Sequence, residues 1–417
     1  MRTGYLLGAA ACAAAALAMF GPGLAEQAPA MDPVAYAQEY LKQRPDDART
    51  WATLGSAYVE RARRTGDSGF YTKAQGALER SLKLQPDANA DALIAMAALA
   101  NARHEFAAGH LWANRAITAD PSRSSAYGAA TDALVELGRY DEAERVLGTM
   151  LALRPDVASF TRAAHLAELR GQNDRAALAL DRALSAAADP ADLAFVRFRL
   201  GELRFNQGDA AGALEHYQLA LHQDSGYALA LAGSARAQAA LGRTGEAVAL
   251  HEAAIARLPL PRFSRELGEL LQSLGRGDEA GRYYAAVQGD VLTEADHGDP
   301  AEAVRLAARE WRRRQSVDVA DAMGWALFRA GRPAAALPYA KRAGALASPK
   351  NAEGAGEGHN ALFDYHRGQI ERALGHRRAA RTYLSRSLAT NPHFSPLWTA
   401  RAGAVLAGMA KGKHEKS

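Results

Sequence analysis

The sequence predicts an all-α fold, an α-solenoid made of antiparallel helix hairpins stacked one after another. One arrangement, in which large and small apolar residues alternate with a turn glycine and a closing proline, recurs about nine times at a period of about 34 residues. Aromatic residues make up 7% of the chain, and residues that favour strands are too few for a sizeable sheet. At 417 residues, the chain is also longer than one compact core usually supports. A linear stack of hairpins accounts for all three observations.

The first helix of each predicted hairpin has a small residue where the two helix backbones come close. The best copy runs from Tyr127 to Pro155. The small residues of the first helices are Gly55, Ala97, Thr131, Ala164, Gly201, Ala235, Gly268 and Gly324. The second helices supply Ala74, Gly109, Ala143, Ala176, Ala213, Ala247, Ala280, Ala336 and Ala380. These two series predict which positions face each other inside each hairpin.

Glycine and proline mark the ends of the predicted helices. A glycine that favours the left-handed conformation ends the first helix. These glycines are Gly138, Gly171, Gly208, Gly242, Gly275, Gly331 and Gly375. Proline ends the second helix, because it lacks a backbone donor and disfavours helix at the preceding residue. These prolines are Pro86, Pro121, Pro155, Pro259 and Pro392.

Together these positions resemble the tetratricopeptide repeat, and the resemblance extends from about Asp46 to Leu406. It implies a right-handed superhelix in which the first helices line a concave groove that binds peptides, helices or partner domains. It implies no intrinsic catalysis. The departures from the pattern are an extra stretch near residues 63–71 and an irregular join at residues 287–315.

The predicted organisation follows from these departures. Residues 31–286 form an N-terminal array of about seven repeats. In the join at residues 287–315, we expect a helix to continue to about His297, a break at residues 298–300 and one helix onward through Trp311. Residues 316–410 form a C-terminal pair of repeats and a capping helix, with a flexible loop at residues 348–360. Residues 411–417 form a basic tail.

Residues 1–30 have the layout of a secretory signal. Arg2 precedes an apolar run over residues 5–20, and Gly21-Pro22-Gly23 then breaks the helix. We expect cleavage near residues 25–30 and a mature protein that is secreted, periplasmic or associated with the cell envelope. The alternative is a membrane anchor formed by residues 5–20. The alanine and arginine bias favours a bacterial protein. Cys12, the one cysteine, lies inside this run, so the folded part has no thiol for chemistry.

The groove that the resemblance implies is lined by residues one and about five positions after the small residue of each first helix. The candidate partner-binding residues are Asn101, Asp132, His165, Glu202, Asn206, Arg236, Glu269, Trp325, Phe328 and Arg372, with Arg199 and Tyr365 close by. The same register includes Glu136, Glu168 and Gln369. The aromatic members make the C-terminal part of the groove the more suitable for anchoring a partner. Burial of Trp325 in the core is the alternative interpretation.

Three short motifs resemble sites of chemistry but are better explained as turns. His104 and His110 are six apart, whereas a zinc helix needs histidines four apart, and His104 occupies the position of the turn glycine. Gly66-Asp67-Ser68-Gly69 resembles a protease nucleophile segment, but its residue types form turns and no strands accompany it. The glycines at positions 354, 356 and 358 lack the strand and lysine of a phosphate loop. We therefore expect no catalytic residue, metal or cofactor.

Fifty basic and 46 acidic residues leave a net charge of +4, and the two signs alternate along the helices. Nucleic-acid binding normally needs a concentrated basic face, so we expect none. The sequence predicts a non-catalytic protein-protein interaction scaffold outside the cytoplasm, with an unidentified protein or peptide partner. The alternatives are an RNA-binding helical-repeat protein and, third, a hydrolase.

Overall fold

The computed structural model describes residues 32–347 and 360–411, and within these ranges the chain forms 22 α-helices and no β-strand. The all-α fold class is confirmed. The predicted secretory signal lies outside the described residues, as do nearly all of the predicted loop at residues 348–360 and of the basic tail. No helix in the described ranges is both long enough and apolar enough to span a membrane.

Within these ranges, the helices follow one another as sequential hairpins. Those of the first half are α1 (Pro33–Gln43), α2 (Ala48–Thr65), α3 (Gly69–Leu84), α4 (Ala90–Ala102), α5 (Phe106–Ala119), α6 (Ser124–Glu136), α7 (Tyr140–Leu153), α8 (Val157–Leu169), α9 (Asn173–Ala186), α10 (Pro190–Asn206) and α11 (Ala210–Gln223). Those of the second half are α12 (Ala228–Ala240), α13 (Thr244–Arg257), α14 (Pro261–Ser273), α15 (Gly277–Ala285), α16 (Val291–His297), α17 (Pro300–Arg313), α18 (Val317–Arg329), α19 (Pro333–Ala347), α20 (Ala361–Ala373), α21 (Arg377–Thr390) and α22 (Trp398–Lys411).

The described chain divides into two compact units, and the division falls within α8. The first unit comprises residues 32–163, with a core that includes Leu54, Tyr58 and Leu78. The second comprises the described residues from Ala164 onward, with a large core cluster around Trp325. The predicted limits at residues 286 and 315 both fall inside the second unit.

The turn glycines adopt the predicted conformation. All seven have positive φ, from 66° at Gly171 to 84° at Gly208. His104 takes the same place between α4 and α5 with a φ of 60°, which confirms that it is a turn residue. Each predicted proline follows the end of a second helix, as Pro155 follows α7.

The small residues of the first helices are where the helices pack most closely. A Cβ atom added to Gly201 would lie 2.5 Å from a ring carbon of Tyr217, and one added to Gly233 would lie 2.6 Å from the same ring. Tyr217 therefore fits between α10 and α12 only because both helices have a glycine there. Ala143 and Ala176 are fully buried, as the hairpin register predicts.

The prediction of one helix continuing to about His297 is wrong. The helix α15 ends at Ala285, and α16 begins only after Asp290. Gly289 has a φ of 94°, and a carboxylate oxygen of Asp290 accepts a hydrogen bond from the backbone N–H of Thr293 at 2.9 Å. A left-handed residue followed by an N-cap ends one helix and starts another. The expected break at residues 298–300 is present, and α17 extends through Trp311 to Arg313.

Candidate partner-binding surface

In the first unit, arginines hydrogen-bond to residues about one hairpin earlier in the chain. Arg162 is bidentate to Asp132, with Nε–Oδ1 and Nη2–Oδ2 distances of 2.8 Å, and its side chain is 2% exposed. Arg103 donates to the backbone oxygen of Tyr71 at 3.0 Å. The Arg162 pair joins the first helices α6 and α8, whereas Arg103 joins the end of α4 to the second helix α3.

The second unit repeats the arrangement. Arg199 Nη2 donates to Glu168 Oε1 at 2.6 Å, and Arg236 pairs with Glu202. Arg329 Nη1 donates to Asp296 Oδ1 at 2.8 Å. We call the pairs Asp132–Arg162, Glu168–Arg199, Glu202–Arg236 and Asp296–Arg329 the arginine–carboxylate ladder. In each of the four pairs, the arginine and the carboxylate are 30 to 34 residues apart, about one repeat length. The ladder is therefore a property of the repeat.

The environment of Glu202 keeps its pair charged. Burial alone raises the pKa of Glu202, but Arg236, Arg262 and the hydroxyl of Tyr217 outweigh burial and hold that pKa below its ordinary value. The Tyr217 hydroxyl donates to Glu202 Oε1 at 2.6 Å, and burial together with this carboxylate raises the pKa of Tyr217. The phenol therefore remains a hydrogen-bond donor to an ionised carboxylate.

The aromatic candidates of the second unit lie in the core. Trp325 is 1% exposed and Tyr365 is 2% exposed. The Trp325 ring stacks on Phe328 at 5.0 Å and approaches Trp398 edge-on at 6.4 Å, and its Nε1–H donates to Asp296 at 2.9 Å. In this conformation, Trp325 and Tyr365 have no exposed surface with which to anchor a partner, as the alternative interpretation expected for Trp325.

The remaining candidates fall into three groups by exposure. Arg199 and Glu269 are buried, whereas Asn101, Asp132, His165, Glu202, Arg236 and Phe328 are partly buried. Asn206 and Arg372 are exposed, and Arg372 Nε donates to Gln369 at 3.1 Å. Asn101 donates to the backbone oxygen of Ala129 at 3.0 Å. The structure brings Glu202 and Arg236 into contact, and also Trp325, Phe328 and Tyr365.

Sequence reasoning missed several members of this surface. Arg162, Asp296, Asn391 and Ser395 were not among the candidates, although the side chain of each hydrogen-bonds to a residue 29 or more positions away in the sequence. A signal for the ladder was present, because Arg162, Arg199 and Arg236 are equally spaced along the sequence. No comparable signal marks Asn391 and Ser395, because their partners lie more than three repeats away.

A basic cleft lies on the protein surface at the start of α21. His376, Arg377, Arg378, Ala379, Thr382, Tyr383 and Arg386 line it. The guanidinium carbons of Arg367 and Arg386 lie 4.0 and 4.8 Å from the centre of the Tyr383 ring. Asp364 neutralises Arg386. Among the described residues, no group of three or more potential metal ligands is close enough to hold an ion.

Residues 129–192 match the family model described as Tetratricopeptide repeat. No curated protein matches the sequence. Among solved structures, the human IFIT1 dimer with m7Gppp-AAAA is 17% identical, with a TM-score of 0.52, over 76% of this chain and 77% of that chain. The human IFIT1 dimer with PPP-AAAA is also 17% identical, with a TM-score of 0.51, over 76% and 78%. At this identity, the likeness concerns the fold. Within the described residues the chain is thus an all-helical protein of sequential hairpins, and residues 129–192 match the tetratricopeptide repeat.

Proposed function

We propose that this protein is a non-catalytic scaffold that binds a protein or peptide partner along its first helices. The observation that carries the proposal is the arginine–carboxylate ladder, because it joins first helices to one another and leaves its arginines paired with carboxylates, so that the surface over them carries little unpaired positive charge. Such a surface suits a polypeptide, which offers donors and acceptors of its own. A phosphate polymer would instead need unpaired arginines and lysines.

RNA binding is the second candidate, and two observations favour it. The IFIT1 structures that share the fold contain capped or triphosphate RNA, as their descriptions state. The basic cleft at α21 supplies a local concentration of arginine and an aromatic ring. Against it, Arg162, Arg199 and Arg236 are all paired with carboxylates, and Arg162 and Arg199 are buried.

We propose further that the scaffold works outside the cytoplasm and begins near residues 25–30 after signal cleavage. The sequence of residues 1–30 supports this location, with Arg2 before an apolar run and a glycine–proline break after it. Fractionation and N-terminal sequencing of the native protein test it. Recovery from the cytosol with residues 1–25 retained contradicts it.

Affinity capture with three forms of the protein tests the scaffold role. The wild type is compared with N206R/R372E, which changes two exposed groove candidates, and with Q218R/S385E, which places the same charges on second helices α11 and α21. We expect one protein to be captured by the wild type and by Q218R/S385E, with RNase making no difference, and to be lost with N206R/R372E. Capture that RNase abolishes establishes the RNA alternative instead.

A further inference from the structure

The segment Asn391-Pro392-His393-Phe394-Ser395-Pro396-Leu397-Trp398, between α21 and α22, lies across first helices of the second unit. We call this segment the strap. Asn391 is 2% exposed, and its Nδ2 donates to the backbone oxygen of Phe205, at the end of α10, over 2.8 Å. The two residues are 186 positions apart in the sequence. The strap therefore connects the last hairpin to one that lies several repeats earlier.

Contacts continue along the strap. Pro392 packs against Gly208, where an added Cβ would lie 3.0 Å from the proline Cδ. Ser395 Oγ donates to Glu269 Oε2 on α14 at 2.9 Å, and both residues are buried. The same Ser395 oxygen accepts from the backbone N–H groups of Leu397 and Trp398 at 3.2 Å. The strap thus reaches α10 and α14 through side-chain donors.

Aromatic contacts hold Phe394, which lies between Asn391 and Ser395, and Trp398 at the far end of the strap. Phe394 lies 5.6 Å from the Tyr365 ring on α20, and Trp398 lies 6.0 Å from the same ring. Trp398 also approaches Trp325 on α18 and His297 on α16, at 6.4 and 6.3 Å. At this end, a large apolar contact holds the segment. At the α10 and α14 end, the side-chain hydrogen bonds to these two helices are those of Asn391 and Ser395.

From these contacts, we propose that the strap is an intramolecular competitor of the partner, and that its contact strip on α10 and α14 is a partner-binding surface of the second unit. This inference rests on the proposed scaffold function. The strip presents two acceptors, the Phe205 carbonyl and the Glu269 carboxylate, together with the space over Gly208. It fits a peptide that supplies amide and hydroxyl donors and carries no carboxylate beside Glu269.

The geometry favours exchange at this end. Two side-chain hydrogen bonds, the contact of Pro392 with Gly208 and the ring contact of Phe394 with Tyr365 hold the Asn391 to Ser395 part of the strap, and a partner peptide with the same donors replaces the two hydrogen bonds one for one. The strap contains turns at residues 392–393 and 396–397 and a bend at Phe394, and Pro392 and Pro396 keep it from forming a helix of its own. Partner binding therefore requires the Asn391 to Ser395 part of the strap to leave, while Trp398 remains in the core.

A labelled peptide of residues 389–400, added to the full-length protein, tests the proposal. In N391A/S395A, the strap loses both donors while the acceptors stay in place. We expect this variant to bind the peptide at least tenfold more tightly than the wild type does. A peptide in which the same asparagine and serine are alanine should not bind either protein. The variant H393A is the matched control, because His393 lies in the strap without a side-chain hydrogen bond to α10 or α14, and its affinity should equal that of the wild type.

Hydrogen exchange at residues 203–208 and circular dichroism accompany the titration. Faster exchange there with unchanged helicity is the expected sign of a released strap. Equal peptide affinity in the variant and the wild type overturns the inference, and so does unchanged exchange, since the strap is then a fixed part of the fold. Such a failure leaves the scaffold role intact if partner capture still depends on Asn206 and Arg372.

Discussion

Arg162 holds Asp132 in a bidentate ion pair between α8 and α6, with both nitrogen–oxygen distances at 2.8 Å. The Arg162 side chain is 2% exposed, and the Asp132 side chain is 16% exposed. Arg162 Nη1 also donates to the backbone oxygen of Ala158 at 3.0 Å. Because the guanidinium is buried and fully engaged, this pair fixes the spacing of successive first helices and takes no part in binding phosphate.

Removing one member of this pair should destabilise the first unit. D132N leaves a buried guanidinium without its counter-charge, and we expect a loss of about 2 to 3 kcal/mol in the free energy of unfolding. Urea denaturation measures it. The matched control is E142Q, which breaks the exposed pair with Arg139 and should change stability by less than about 1 kcal/mol. Equal effects of the two substitutions contradict a structural role for the ladder.

Enlarging a packing alanine should overfill a hairpin. Ala143 is fully buried where α7 meets α6, so A143L is expected to lower the free energy of unfolding by roughly 1 to 3 kcal/mol. Ala152 is exposed on the same helix, and A152L should have almost no effect. Thermal unfolding of the two variants compares them directly. An unchanged melting temperature for A143L means that the hairpin register is wrong.

Two glycines of one hairpin should respond to alanine in opposite directions. Gly138 has a φ of 70°, so G138A forces a side chain into the left-handed region and should destabilise by about 1 kcal/mol. Gly148 lies inside α7 with nothing within 4 Å of an added Cβ, so G148A should stabilise by roughly 0.5 to 1 kcal/mol. Denaturant midpoints of the two variants that move in the same direction count against this account of the turn.

Stability should fall in mild acid because His251 is buried. Burial lowers the pKa of His251 from 6.5 to about 4, and Arg236 and Arg262 add to this against the opposing carboxylate of Glu266. The unfolded chain therefore binds a proton that the folded chain does not. This contribution to stability is present above pH 6.5 and is lost as the pH falls towards 4, by roughly 2 to 3 kcal/mol.

The variant H251Q isolates that contribution. Carboxylates titrate in both proteins, so the relevant quantity is the difference between wild type and variant in the free energy of unfolding, measured at pH 7 and at pH 4.5. The wild type should lose about 2 kcal/mol more than H251Q over this interval. Parallel pH profiles indicate that His251 is protonated in the folded state as readily as in the unfolded chain.

The sequence was sufficient to predict the structural features that depend only on residues within one repeat. Gly138, Pro155 and Ala143 act on their own hairpin, and their roles follow from backbone conformation and side-chain size. The break at Gly289 and Asp290 was missed because the helical pattern on both sides is continuous in apolar residues, whereas the capping hydrogen bond of Asp290 depends on local geometry. Local rules therefore predicted elements reliably wherever the repeat was regular.

The candidate surface was harder to predict, because its contacts join helices that are distant in sequence. The register placed Glu202 and Arg236 on one face, and they do pair. It also placed Trp325 there, but it did not reveal that Trp398 would pack against Trp325 from a segment outside the repeat. Which part of a repeat surface remains exposed depends on contacts with segments that are distant in sequence. A periodic sequence pattern does not reveal those contacts.

Photo-crosslinking from defined positions tests the scaffold role most directly. A photoreactive residue is placed at Asn206 or Arg372, exposed candidates on first helices, and at Gln218 or Ser385, exposed positions on second helices. Crosslinking in cells that produce the protein natively is followed by mass spectrometry. We predict that one protein is crosslinked from Asn206 and Arg372 and is absent from Gln218 and Ser385. Crosslinks to RNA, or equal yields from all four positions, contradict a protein-binding surface on the first helices.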